Sequence, residues 1–107
     1  ISLILIYSHK VGYMKKFNHN DGRYFTLNDA EIYVEETGNL DGFPLIFLHG
    51  GLGTINDFLP LIEKINPNFR CIGIDSRGHG KSTLGSDPLS YELLENDLEI
   101  ILKELAI

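Results

Sequence analysis

From Gly22 onward, apolar and polar residues alternate in two short runs, Arg23-Tyr24-Phe25-Thr26-Leu27 and Glu31-Ile32-Tyr33-Val34-Glu35-Glu36, with the pair Asn28-Asp29 between them. Period-two alternation on either side of an Asn-Asp pair predicts an antiparallel hairpin. Gly38-Asn39-Leu40-Asp41-Gly42 reads as a loop, and Pro44 opens the next strand. Residues 45–48 are apolar at every position, which predicts a strand covered on both faces, as in a parallel sheet. Beyond it, Asn56 or Asp57 is placed to cap a helix running to Ile65, with Phe58, Leu61, Ile62 and Ile65 at helical spacing and Pro60 near the first turn, where proline is tolerated. Asn66-Pro67-Asn68 stops that helix, and 69–74 forms a second buried strand. After a polar loop from 81 to 88, Ser90 caps a last helix over 91–105, whose Leu94, Leu98, Ile101, Leu102 and Leu105 form one apolar stripe. The order of hairpin, strand, helix, strand, helix predicts a twisted sheet with helices packed on it.

Each of the two strands after the hairpin empties into a glycine-built loop. The first is His49-Gly50-Gly51-Leu52-Gly53; the second is Asp75-Ser76-Arg77-Gly78-His79-Gly80-Lys81-Ser82. Taken alone, the first loop is also what any sharp strand-to-helix turn with glycines at positive φ would look like. Together, in this order and after these strands, the loops resemble the amino-terminal part of the α/β-hydrolase family. The fold implied by the resemblance is α/β, with the antiparallel hairpin leading into a parallel βαβα segment of an incomplete sheet. It spans residues 23–107 as a partial domain, with 1–22 as an amino-terminal extension that is either non-native or an extra strand.

The resemblance also implies roles. In that family the first loop supplies half of an oxyanion hole, whose backbone N–H groups stabilise a tetrahedral intermediate without reorganising. The donor after the His-Gly pair is Gly51 here, with Leu52 the neighbouring candidate. His49, Gly50 and Gly53 shape that loop, His49 orienting it rather than exchanging protons. Asp75, Arg77 and Gly78 support it from the second loop, the charged pair through hydrogen bonds to loop amides and carboxylates.

No nucleophile matches. The family's serine sits in Gly-x-Ser-x-Gly, with small residues two positions either side. Around Ser76 the first of those positions holds Ile74, around Ser82 the second holds Leu84, and neither Ser86 nor Ser90 completes the pattern. A triad needs its acid and histidine later still, whereas His9, His19, His49 and His79 all precede the place for the serine. His9 and His19 are expected in a solvated segment. The family's nucleophile strand would follow Ala106-Ile107, so the expectation is a chain carrying no catalytic residue and inactive alone, with esterase-like and aminopeptidase-like relatives equally open. A non-catalytic relic or interaction module of the same fold is the alternative. In the family's sheet the strand at 44–48 is central, so an unpaired edge is expected there, prone to self-association or to binding a complementing carboxy-terminal chain.

Two other motifs fail on spacing. Gly80-Lys81-Ser82 would end a phosphate loop, but Asp75 stands where its first glycine belongs; Gly51-Leu52-Gly53 would open a dinucleotide fingerprint, but Asn56 takes the third glycine's place. No cofactor and no metal is expected, since the histidines and the one cysteine are not clustered.

Size and charge narrow the picture. At 107 residues the chain is at most one small domain, whereas the resembled fold needs about eight strands and more than twice this length. A composition of 43% hydrophobic and 22% charged residues is that of a globular protein. The net charge of −6 argues against nucleic acid and anionic membranes as partners; the resemblance implies a small-molecule ester or amide as the substrate of the complete protein. A single cysteine, Cys71, and the absence of a basic run before the apolar opening Ile1–Tyr7 point to the cytoplasm. Met14-Lys15-Lys16 is one candidate for the natural start; an extra edge strand over 1–13 is the other.

Overall fold

The computed structural model describes residues 12–107. Four strands make one mixed sheet: β1 (Arg23–Leu27), β2 (Ala30–Gly38), β3 (Pro44–Leu48) and β4 (Arg70–Ile74), in the order β1-β2-β4-β3. The hairpin forms as its alternation predicts, with Leu27 paired to Ala30 around Asn28-Asp29. Asn28 sits at φ 58°, a left-handed position that asparagine tolerates in tight turns. β2 then runs antiparallel to β4, and β3 runs parallel to β4 in the register Leu45↔Cys71 to Leu48↔Ile74. β2 is longer than its alternation suggests because its far half pairs with β4 rather than β1, and that pairing carries it to Gly38. The expected extra strand over 1–13 falls largely on residues outside those described.

Because β-strand side chains alternate, the sheet has two apolar faces. One carries Ile32, Val34, Ile72 and Ile74 and is covered by α2 (Tyr91–Glu104) through Ile101 and, just past its end, Leu105. The helix starts at Ser90, whose Oγ accepts the Leu93 amide hydrogen at 3.1 Å. The other face carries Tyr33, Phe47 and Cys71 and is covered by Ile55, Ile62 and, from the amino-terminal arm, Met14 and Phe17. Gly73 lies on that face because the packing leaves no room for more: an added Cβ would meet Ile55 at 3.0 Å and Phe17 at 3.1 Å.

Two expectations are corrected. The first helix is neither capped at Asn56 or Asp57 nor continued to Ile65. Thr54 is the cap, accepting the Asn56 amide hydrogen, and a 3-10 turn (Ile55–Phe58) passes into one α-helical turn, α1 (Leu59–Ile62). Proline at the second position of α1 donates no backbone hydrogen bond, and the segment divides there into two short pieces. β3 is not covered on both faces either. Only Phe47 is buried, Leu45 and Ile46 are half-buried, and Leu48 is 50% exposed, because β3 is the sheet's edge and nothing pairs with its outer side among the described residues. No described helix is long and apolar enough to cross a membrane.

Candidate functional site

β3 and β4 are parallel neighbours, so the two glycine loops leave the sheet side by side at its carboxyl end, where ligands bind in open α/β sheets. His49, Gly50, Gly51, Ser76 and His79 line a groove there, closed on its other side by Leu89, Ser90, Tyr91 and Leu94 at the start of α2.

The first loop is a turn closed by the Gly53 amide donating to the Gly50 carbonyl at 3.1 Å. Its glycines are not placed as a plain tight turn demands. The left-handed residue is Leu52, at φ 65° and fully exposed, while Gly50, Gly51 and Gly53 are not at positive φ. Open space surrounds the Cβ positions of Gly50 and Gly51, with no atom within 4 Å. Among the described residues, the Gly51 and Leu52 amides donate to no protein acceptor. A leucine held in the left-handed region costs about 1 kcal/mol, and such strain is characteristically retained at functional loops.

His49 ties this loop to the second. Its Nε2 accepts the Ser76 amide hydrogen at 2.9 Å, which places the ring proton on Nδ1, 2.7 Å from the Gly50 carbonyl oxygen that accepts it. Both ring nitrogens are thereby engaged. The His79 ring lies 5.0 Å from that of His49.

Asp75 is the hub of the second loop. Fully buried, it accepts the Ile55 amide on Oδ1 and the Lys81 amide on Oδ2, each at 2.9 Å, and so links the segment after the first loop to the far end of the second. Gly80, at φ 52°, passes so close that a Cβ there would overlap the Asp75 carboxylate. Ser82 is buried, donating its hydroxyl to the Asp75 carbonyl at 2.6 Å and accepting from the Tyr33 amide at 2.8 Å. Arg77 is buried and pairs with Asp97 of α2, where hydrogen bonding to that carboxylate raises the guanidinium's affinity for its proton. Gly78, at φ 75°, allows the turn that follows.

Two residues of this architecture escape the sequence reading. Asp97 lies three residues after Leu94 and four before Ile101, so a carboxylate interrupts the apolar stripe; that break is the signal. His19, expected in a solvated segment, instead lies against Asp75 with its side chain only 18% exposed. The reason is that Met14 and Phe17, buried in the second face, bring the arm across the sheet. Cys71 is buried mid-strand, and burial pushes its thiol up to about 11, which leaves it a core hydrophobe rather than a nucleophile. Among the described residues no cluster of three potential metal ligands occurs.

A family model described as the alpha/beta hydrolase fold matches residues 44–107. The chain is 41% identical to the protein PHYLLO, chloroplastic, of Arabidopsis thaliana over 56 residues, which are 51% of this chain and 3% of that one. It is 40% identical to the proline iminopeptidase of Neisseria gonorrhoeae over 82 residues, covering 72% of this chain and 26% of that one. Among solved structures, an esterase from Exiguobacterium antarcticum matches with a TM-score of 0.68 and 31% identity over 80% of this chain and 32% of that one. A haloalkane dehalogenase from Agrobacterium tumefaciens matches with a TM-score of 0.73 at 18% identity, over 85% of this chain and 31% of that one, a likeness of fold alone. The chain thus spans no more than about a third of any of these proteins.

Proposed function

Because this chain belongs to the α/β-hydrolase fold family, we propose that residues 23–107 are the part of a serine-type hydrolase that supplies one side of its oxyanion hole, through the amides of Gly51 and Leu52. The complete protein would act on an ester or amide bond of a small molecule. The observation that carries the reading is bare backbone facing a groove: glycines at 50 and 51 that the turn does not need, with unengaged amides beside them. Donors held in that way are what a developing oxyanion requires. His49 and Asp75 orient the loops, and Gly50, Gly53, Arg77 and Gly78 shape them. The nucleophile, acid and catalytic histidine would come from outside these residues; Ser82, in the second loop, already donates its proton to the backbone, and Ser76 is followed by Arg77 and preceded two positions earlier by Ile74, not by the small residues a nucleophile turn needs. A single buried cysteine supports a reducing, cytoplasmic setting.

The test is a pair of measurements. The 107-residue chain alone is expected to show neither labelling by a fluorophosphonate probe nor ester turnover above buffer. A chimera in which residues 12–107, the arm with His19 included, replace the corresponding amino-terminal part of the Neisseria gonorrhoeae proline iminopeptidase is expected to fold and turn over that enzyme's substrate. Labelling of the isolated chain at a serine would overturn the assignment of roles, and a folded but inactive chimera would overturn the oxyanion reading.

We further propose that the outer side of β3 is where a complementing strand pairs, and that the isolated chain uses it to self-associate. Unpaired amides on an uncharged apolar strand invite pairing, and an edge lysine discourages it. Beside this edge lies an apolar hollow of about 290 Å³, lined by Leu48, Ile74, Leu94, Leu98 and Ile101. In sedimentation at micromolar concentration the chain is expected to run well above its 12.1 kDa, and Leu48→Lys to shift it toward monomer. Monomeric wild-type protein with cooperative melting would contradict this.

A further inference from the structure

The arm before β1 is tied to the sheet at several points. The Thr37 hydroxyl donates to the Lys15 carbonyl at 2.5 Å, and the Asn18 amide donates to Glu35 Oε2 at 2.7 Å. Asn18 Oδ1 then accepts the amides of Asn20 and Asp21, each at 2.8 Å, which folds the arm into an Asx-type turn. Inside that turn His19 stands at φ 59°, a left-handed conformation that residues other than glycine adopt only at a conformational cost. The turn directs the imidazole inward, edge-on to the Tyr33 ring at 5.3 Å between centroids. Its Nε2 rests on Asp75 Oδ2, and its Nδ1 lies 3.3 Å from Asn56 Nδ2.

These two partners belong to different loops. Asn56 is in the 3-10 turn that follows the first glycine loop, and Asp75 opens the second. We propose that His19 is a positioning residue: one ring nitrogen on each side, it holds Asp75 and Asn56 and thereby sets the spacing of the two glycine loops. The Asn56 amide group faces Nδ1, and Nε2 is aimed at the carboxylate. Asp75 is fully buried, and its other donors are two backbone amides, so the imidazole supplies a third hydrogen bond to a charge that has lost its water. Removing the ring leaves that oxygen short of a donor and opens a gap between the arm and both loops. The strained φ at His19 is the local conformational cost of this placement.

What this positioning contributes to turnover rests on the oxyanion reading above, but the positioning itself does not, and the test separates the two. Backbone amide hydrogen exchange is followed by NMR on the full 107-residue chain. His19→Ala is expected to speed exchange of the Ile55 and Lys81 amides by about tenfold, because opening of the loops costs less, while the amides of β2 and β4 keep their rates. His19→Gln, whose side-chain amide donates from a similar reach as Nε2, is expected to restore protection at both positions. Equal loss of protection across the sheet would show a merely structural arm, and unchanged rates at Ile55 and Lys81 would remove the proposal, as would failure of glutamine to rescue. Should the alanine variant not fold, Asn56→Ala removes only the Nδ1 contact; faster exchange at Ile55 supports the bridge and an unchanged rate rejects it. An inactive chimera with this exchange pattern intact would sink the oxyanion reading and leave His19's role standing.

Discussion

Replacing Asp97 by alanine is expected to destabilise the fold by about 3–5 kcal/mol, the cost of leaving a buried charge without its partner. Arg77 donates to Asp97 through Nε at 3.0 Å and through Nη2 at 2.8 Å, a two-pronged pair with the guanidinium fully buried and the carboxylate 7% exposed. Its remaining contacts are longer, to the Leu84 carbonyl at 3.3 Å and the Leu27 carbonyl at 3.4 Å. Neither carries a countercharge. Without Asp97 the guanidinium keeps only the weaker attraction of Asp29 and Asp87, and must either pull into solvent and drag the second loop with it or stay buried without a hydrogen-bonded countercharge. Domains of this size are stable by roughly 5–15 kcal/mol, so the loss is a large fraction of the total. Asp97→Asn keeps an acceptor and the shape and is expected to cost less. The double change Arg77→Met with Asp97→Leu, which removes both charges for apolar volume, is expected to come out near neutral. Urea midpoints from far-ultraviolet circular dichroism at one fixed protein concentration read all three, the fixed concentration being needed because self-association shifts apparent stability. A loss below about 1 kcal/mol for Asp97→Ala would show that the pair is not what joins the second loop to α2.

In the chimera with the Neisseria gonorrhoeae enzyme, Gly51→Val is expected to lower kcat by about 10²–10³-fold, the range seen when an oxyanion donor is lost, with KM changed far less. The branched side chain would stand in the open space over Gly51 and keep the substrate oxygen from the loop amides. That space holds no atom within 4 Å, so the substitution meets nothing in the fold and the melting temperature is expected to hold. This separation is the diagnostic part of the experiment. A glycine kept for the turn would give the reverse, a lower melting temperature with activity scaling with the folded fraction. Turnover within about threefold of the parent chimera would remove Gly51 from the oxyanion role.

Much of the fold was legible because it follows from local rules. Alternation around Asn28-Asp29 marks the hairpin, and β1 spans the residues that the alternation marks. Ser90 caps α2, since a hydroxyl before an apolar stripe can satisfy an otherwise orphaned amide. The helix after β3 was misread because helical spacing from Phe58 to Ile65 is only a tendency, and Pro60 together with the Thr54 cap left room for a single α-helical turn after the 3-10 start. The cover expected over both faces of β3 fails for a different reason: an apolar run states that cover is wanted, not that it is present.

The linear order of residues by itself determined the family, the hairpin, the two strands that follow it and the two glycine loops after them, because each is written in neighbours a few positions apart. Only the folded arrangement decided that the glycines at 50 and 51 face open space while Leu52 carries the strained φ, that Asp97 rather than a loop group answers Arg77, and that His19 reaches Asp75. Those pairings join residues 20 and 56 positions apart. A buried charge takes as its partner whichever group the packing of the sheet, arm and helix brings within hydrogen-bond reach, and no local pattern encodes that distance.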